Sequence, residues 1–160
     1  IKVGKILFTL TMSRYLSSYQ TWYFPLKECS NKMVFFDTYL NKILYGKKTM
    51  NEKFLEFIKK EKPDYVHMGF GPDEFDFDTL LQIRKISHKT KTLVVFGDDD
   101  LQFEKYSRYL MLFVDYGLIP PTKYVDEYKK DGINHKEYII VSFFPTFPIK
   151  NAIRVVKARE

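Results

Sequence analysis

Short apolar runs recur along this chain, and they are apolar continuously rather than at every second residue. Residues 5–10 (KILFTL), 32–37 (KMVFFD), 64–69 (DYVHMG), 90–96 (TKTLVVF), 113–119 and 137–144 all read as strands. A strand with no polar side is buried on both faces. That calls for a parallel sheet covered on each side by helices, because parallel strands need a long crossover between them. The intervening segments have helical spacing. Residues 19–29 carry Trp22, Tyr23 and Leu26 on one side, with Pro25 as a kink. Residues 51–60 carry Phe54, Leu55 and Ile58, with Asn51 as the N-cap. Residues 76–87 carry Leu80, Leu81, Ile83 and Ile86, and two further helices are predicted over 102–112 and 123–131.

This alternation predicts an α/β fold: a Rossmann-like, three-layer α/β/α domain with a mostly parallel sheet of about six strands. The domain is expected to span residues 1–145. The Pro-rich run 144–148 (FPTFP) breaks the pattern, so 146–160 is read as an exit segment and a basic C-terminal helix with Ile149, Ala152, Ile153 and Val156 on one face. The chain is 45% hydrophobic and 18% aromatic, which excludes a disordered chain. Cys29 is the only cysteine, so no internal disulfide exists and a reducing, cytoplasmic setting is expected. No signal peptide is visible, and no apolar run approaches the roughly 20 residues of a membrane span.

The net charge is +6, concentrated between residues 27 and 62, whereas 73–115 is net acidic. Lysine far outnumbers arginine, which argues against nucleic acid as a partner, since base readout leans on bidentate arginine. A solvated lysine surface is the first reading of the charge; contact with an anionic membrane surface or an acidic partner, the protein then being peripheral to the membrane, is the second.

In such a fold the site lies where the carboxyl ends of the strands open into loops. The first of these loops, 11–18 (TMSRYLSS), has no glycine, so the dinucleotide fingerprint is absent where it belongs. There is no phosphate-binding loop and no G-x-S-x-G elbow, and His67, His88 and His135 lack metal-ligand spacing. The strand-end candidates are Ser13 and Arg14, whose guanidinium suits a carboxylate or phosphate, the turn Gly69-Phe70-Gly71, and the run Asp98-Asp99-Asp100. The three aspartates have three readings: a D-x-D site for Mg²⁺ or Mn²⁺, caps of the helix that follows, or acceptors for substrate hydroxyls. His67 reads as a buried strand histidine or as a residue next to the cleft. Tyr15, Tyr19, Trp22 and Tyr23 form either core or a surface for stacking on sugar rings.

Residues 62–145 resemble the N-terminal half of CgeB-like (spore maturation protein-like) glycosyltransferases. The resemblance rests on KPDYVHMGF at 62–70, LLQIRKIS at 80–87, KTLVVFGDDDLQFEKYSRYLMLFVDYGL at 91–118 and DEYKKDGINHKEYIIVSFFP at 126–145. Its most specific pieces are GDDD, Phe103, Tyr106 to Tyr109, Phe113 to Asp115 and the helix end at 127–132. After Ser142 the chain departs from the family, where Phe143-Phe144-Pro145-Thr146 replaces a tryptophan and an acidic-aromatic stretch. The resemblance implies the acceptor-binding half of a GT-B glycosyltransferase, inactive alone and completed by a missing C-terminal domain that binds the nucleotide-sugar donor. It further implies a sugar or glycan acceptor, no resident cofactor and no metal. The cleft edge would then be Ser13, Arg14, Gly69, Phe70, Gly71 and Asp98 to Asp100, with one aspartate capping the helix and another facing the cleft.

Overall fold

Every strand pairing among the described residues is parallel. The computed structural model describes residues 2–9, 22–68, 74–96, 99–119, 124–133 and 138–140; for 99, 100 and 138–140 only the backbone is described. The chain runs β1 (Val3–Thr9), α1 (Phe24–Cys29), β2 (Ser30–Phe36), α2 (Thr38–Glu61), β3 (Tyr65–Met68), α3 (Phe77–Ile86) and β4 (Lys91–Val95). Then come α4 (Asp99–Gln102), a π-helical turn (Phe103–Ser107), α5 (Arg108–Leu110), β5 (Tyr116–Ile119), α6 (Val125–Lys130) and the three-residue β6 (Tyr138–Ile140). The sheet order is β2-β1-β3-β4-β5-β6. The predicted exit segment and C-terminal helix, 146–160, lie outside the described residues.

That order explains where the helices go. The step from β1 to β2 moves one way along the sheet, and every later step moves the other way. Right-handed crossovers then put α1 on one face and the later helices on the other. The two cores agree. Leu7, Val66, Met68 and Val94 face Met50, Phe54 and Ile58 of α2, Leu80 and Ile83 of α3, and Tyr128 of α6. On the opposite face Ile6, Phe8, Tyr65 and Leu93 meet Leu26 of α1. Each of these fully buried side chains stabilises the fold by about 1.5–3 kcal/mol relative to exposure. The order is the flavodoxin-like variant of the doubly wound sheet, not the 3-2-1-4-5-6 variant, and its single switch of direction falls between β1 and β3.

The largest departure from the sequence reading is α2. The helix predicted over 51–60 begins at Thr38, directly after β2, and Asn51 is not an N-cap. The cap is Asp37, whose carboxylate accepts the Leu40 N–H at 2.8 Å. Asn51 is instead buried: its side-chain amide donates to the Lys47 and Glu74 carbonyls, both at 2.9 Å, and its oxygen accepts from Asp76 N–H at 3.1 Å. It ties α2 to the segment leading into α3. Within α2, Gly46 has φ 79° and ψ 164°, a conformation open essentially to glycine alone, and the helix breaks there. Pro25 is no kink either, but sits in the first turn of α1, where its missing N–H costs nothing.

The amino edge of the sheet is bolted together by side chains. The Asp115 carboxylate accepts from both Thr92 N–H and Thr92 Oγ1 at 2.9 Å, while Thr92 Oγ1 accepts from Asp115 N–H at 2.8 Å. Thr90 Oγ1 donates to the Pro63 carbonyl at 2.6 Å. The Asp64 carboxylate accepts Lys5 N–H at 2.6 Å and lies where a side chain at Gly4 would be, so a Cβ at position 4 would collide with it.

Candidate functional site

The direction of the crossovers reverses between β1 and β3, and at such a switch point doubly wound sheets bind their ligands, outside the carboxyl ends of the strands. Phe8 pairs with His67 across these two strands. His67 is only 3% exposed. Its ring stacks on Phe8 at 5.0 Å with 13° between planes, and Trp22 closes over it at 5.6 Å and 39°. Tyr23 packs edge-on against Phe8 at 5.6 Å. Thr9, the last residue of β1, donates its hydroxyl to the His67 carbonyl at 3.3 Å and locks the strand ends together.

Neither ring nitrogen of His67 has a hydrogen-bond partner among the described residues. Burial pushes the imidazole down to a pKa of about 4, so it is neutral at pH 7. A neutral imidazole carries one N–H donor and one bare nitrogen acceptor. Buried polar atoms are nearly always satisfied in folded proteins, and leaving one unpaired costs about 1–3 kcal/mol. The arrangement is therefore a donor and an acceptor, both unspent, walled by aromatic rings at the switch point.

In the sequence, residues 10–21 follow β1 and residues 69–73 follow β3. Ser13, Arg14, Gly69, Phe70, Gly71 and Asp98 themselves lie outside the described residues. Asp99 and Asp100 open α4, in the turn where a carboxylate gains from the helix dipole. Among the described residues no group of three or more His, Cys, Asp and Glu could hold a metal.

The segments that carry the family resemblance do structural work. Arg108 makes a two-pronged pair with Asp131, Nε to Oδ2 at 2.9 Å and Nη2 to Oδ1 at 2.6 Å, and its Nη1 meets Glu104 at 2.7 Å. These partners raise its already high pKa further. The guanidinium also lies over the Phe103 ring, and Phe103 stacks on Tyr124 at 4.2 Å and meets Tyr128 edge-on. The result clamps the π-helical turn to α6. A cleft of about 390 Å³ beside it is lined by Arg108, Tyr109, Leu112 and Asp131, but its guanidinium is committed. Cys29 is a passive thiol that donates to the Leu26 carbonyl.

The spacing of residues flagged His67 but not its company. Phe8 and Thr9 were invisible as site residues, because their role depends on a pairing across 58 or more positions. The aromatic density at Trp22 and Tyr23 was the usable signal. No protein-family model matches this chain, and no curated protein matches it.

Proposed function

We propose that this chain is the acceptor-side domain of a GT-B glycosyltransferase, binding a sugar or glycan in the β1/β3 crevice and relying on a second domain for the nucleotide-sugar donor. The observation that carries the reading is the buried, neutral His67 with both ring nitrogens unpartnered among the described residues, set between Phe8 and Trp22. Sugars present hydroxyls to such a pair and apolar ring faces to such walls. The resemblance over residues 62–145 points the same way. The cleft would draw Ser13, Arg14, Gly69, Phe70, Gly71 and Asp98 to Asp100 from the adjoining segments.

Trp22 is the only tryptophan and touches His67, so its fluorescence reports on the crevice. Titration with mono- and oligosaccharides is expected to change that emission, and His67→Phe to abolish the response. No turnover of nucleotide sugar is expected from these 160 residues alone. Sugar transfer by the isolated chain, or a response to nucleotide diphosphates with none to any saccharide, overturns the reading.

The strand order favours a second reading: a non-catalytic binding domain that kept the doubly wound sheet. With β3 beside β1, the order matches proteins that bind a single small ligand at this switch point. The gene sequence beyond residue 160 separates the two readings. A second doubly wound domain there supports the transferase, and its absence supports the binding domain.

A further inference from the structure

Helix α2 begins with an arm, residues 38–45, that is inside out. Thr38 is buried, and Asn41 is half-buried with its amide donating to the Asp37 carbonyl. Tyr39, Leu40, Ile43 and Leu44 instead face solvent, at 43%, 38%, 61% and 59% exposure. At 100° per residue these four fall within one arc of about 140° on the arm. In an unbroken helix that arc would continue the stripe of Met50, Phe54 and Ile58, which is fully buried on the sheet. The break at Gly46 lifts the arm's apolar stripe off the core and turns it outward. Large apolar side chains at such exposure are individually ordinary; four on one two-turn face, three of them leucine or isoleucine, are not.

The charges around the arm say what it meets. Between Asp37 and Glu52 there are three lysines, Lys42, Lys47 and Lys48, of which Lys47 pairs with Asp76 at 2.8 Å. Lys53 lies over the ring of Tyr45 at 4.5 Å, and Tyr45 is itself half exposed. Lysine is depleted at protein–protein interfaces. Lysines bordering an aliphatic stripe, with tyrosines near its ends, match the interfacial zone of an anionic bilayer, where rings sit at headgroup level and the stems of lysine run along apolar surface. The arm is about 12 Å long at the rise of an α-helix, so it can lie in that zone but not cross it. No helix among the described residues is long and apolar enough to cross a membrane.

We propose that the arm at residues 38–45 docks the protein on an anionic lipid surface, with Leu40, Ile43 and Leu44 entering the headgroup region and the exposed Lys48 pairing with lipid phosphates. The arm leaves β2 at the carboxyl edge of the sheet, the edge that carries the β1/β3 crevice. Docking holds that edge close to the bilayer. The inference does not depend on the sugar-binding reading.

The test is co-sedimentation of the whole chain with sucrose-loaded vesicles, of phosphatidylcholine alone or with about one-third phosphatidylglycerol. The expected result is binding to the anionic vesicles only, weakened by salt as the Debye length shortens. Ile43→Glu with Leu44→Glu should lower the partition coefficient at least about tenfold, since it replaces buried apolar contact by charge repelled from the surface. Leu112→Glu, an equally exposed leucine outside the arm, should leave it unchanged. Circular dichroism checks that each variant is folded. Three results overturn the proposal: no binding to anionic vesicles, equal loss in Leu112→Glu, or retained binding in the double variant. Sedimentation velocity adds a fourth, namely a dimer that the double variant dissolves while the parent ignores vesicles, which makes the arm a contact between copies.

Discussion

His67 sets a proton against a core. The unfolded chain takes up that proton near the ordinary value of 6.5, but the folded one only near 4. Between those values the unfolded state binds more protons, so folding stability falls as the pH drops through the window. The slope should approach 1.4 kcal/mol per unit, or roughly 3 kcal/mol in all, with no contribution above the upper value and a levelling below the lower one. Urea midpoints between pH 7 and 4 measure it. His67→Phe keeps the stack on Phe8 and removes the titration, so its curve should lose this component. An identical acid slope in parent and variant means that burial of the imidazole is not its source. The same substitution should cost little at neutral pH, because it removes two buried polar atoms that lack partners among the described residues.

Among the elements, α2 depends most on one position. Replacing Gly46 by alanine forces a side chain into a backbone region where it costs about 1–3 kcal/mol. The Gly46→Ala variant should therefore either lose that much stability or straighten the helix, which would swing Ile43 and Leu44 towards the sheet; amide exchange across 38–50 distinguishes the two. The same glycine explains why the start of α2 escaped the sequence reading. The stripe of Phe54, Leu55 and Ile58 was legible because it packs on the sheet with an unbroken period, whereas 38–45 is helical with its apolar side reversed. Asn51 looked like a cap because it stands just before that stripe, yet its amide serves Glu74 and Asp76 across the fold. Strands fared better. The continuous apolar runs at β1, β3 and β4 can be buried on both faces in only one kind of sheet. The π-helical turn at Phe103–Ser107 left no trace in the spacing, since it answers to Tyr124, Tyr128 and Asp131 rather than to its own neighbours. The crevice was half legible. Val66-His67-Met68 announces a buried histidine, but that its nitrogens lack partners among the described residues, and which rings enclose it, are facts of tertiary pairing.

Over the whole molecule the two edges of the sheet divide the labour. The amino edge is fastened by Asp64, Thr90 and the Thr92–Asp115 exchange, and the carboxyl edge carries the crevice and the α2 arm. Asp115→Asn weakens the two hydrogen bonds its carboxylate accepts from Thr92 and should lower stability by about 1–3 kcal/mol, while the Trp22 fluorescence response to saccharide stays unchanged. A parallel loss of that response would mean that the edges are coupled. The close approach of Gly4 to the Asp64 carboxylate has a bearing on heredity. The residue at 64 decides what position 4 can hold: Gly4→Ala alone should be harmful, and Asp64→Ser, itself mildly harmful through loss of the contact with Lys5 N–H, should rescue it. Thermal melts of the two single variants and the double would reveal this sign epistasis. An ancestor crossing between the two states would have had to change position 64 first.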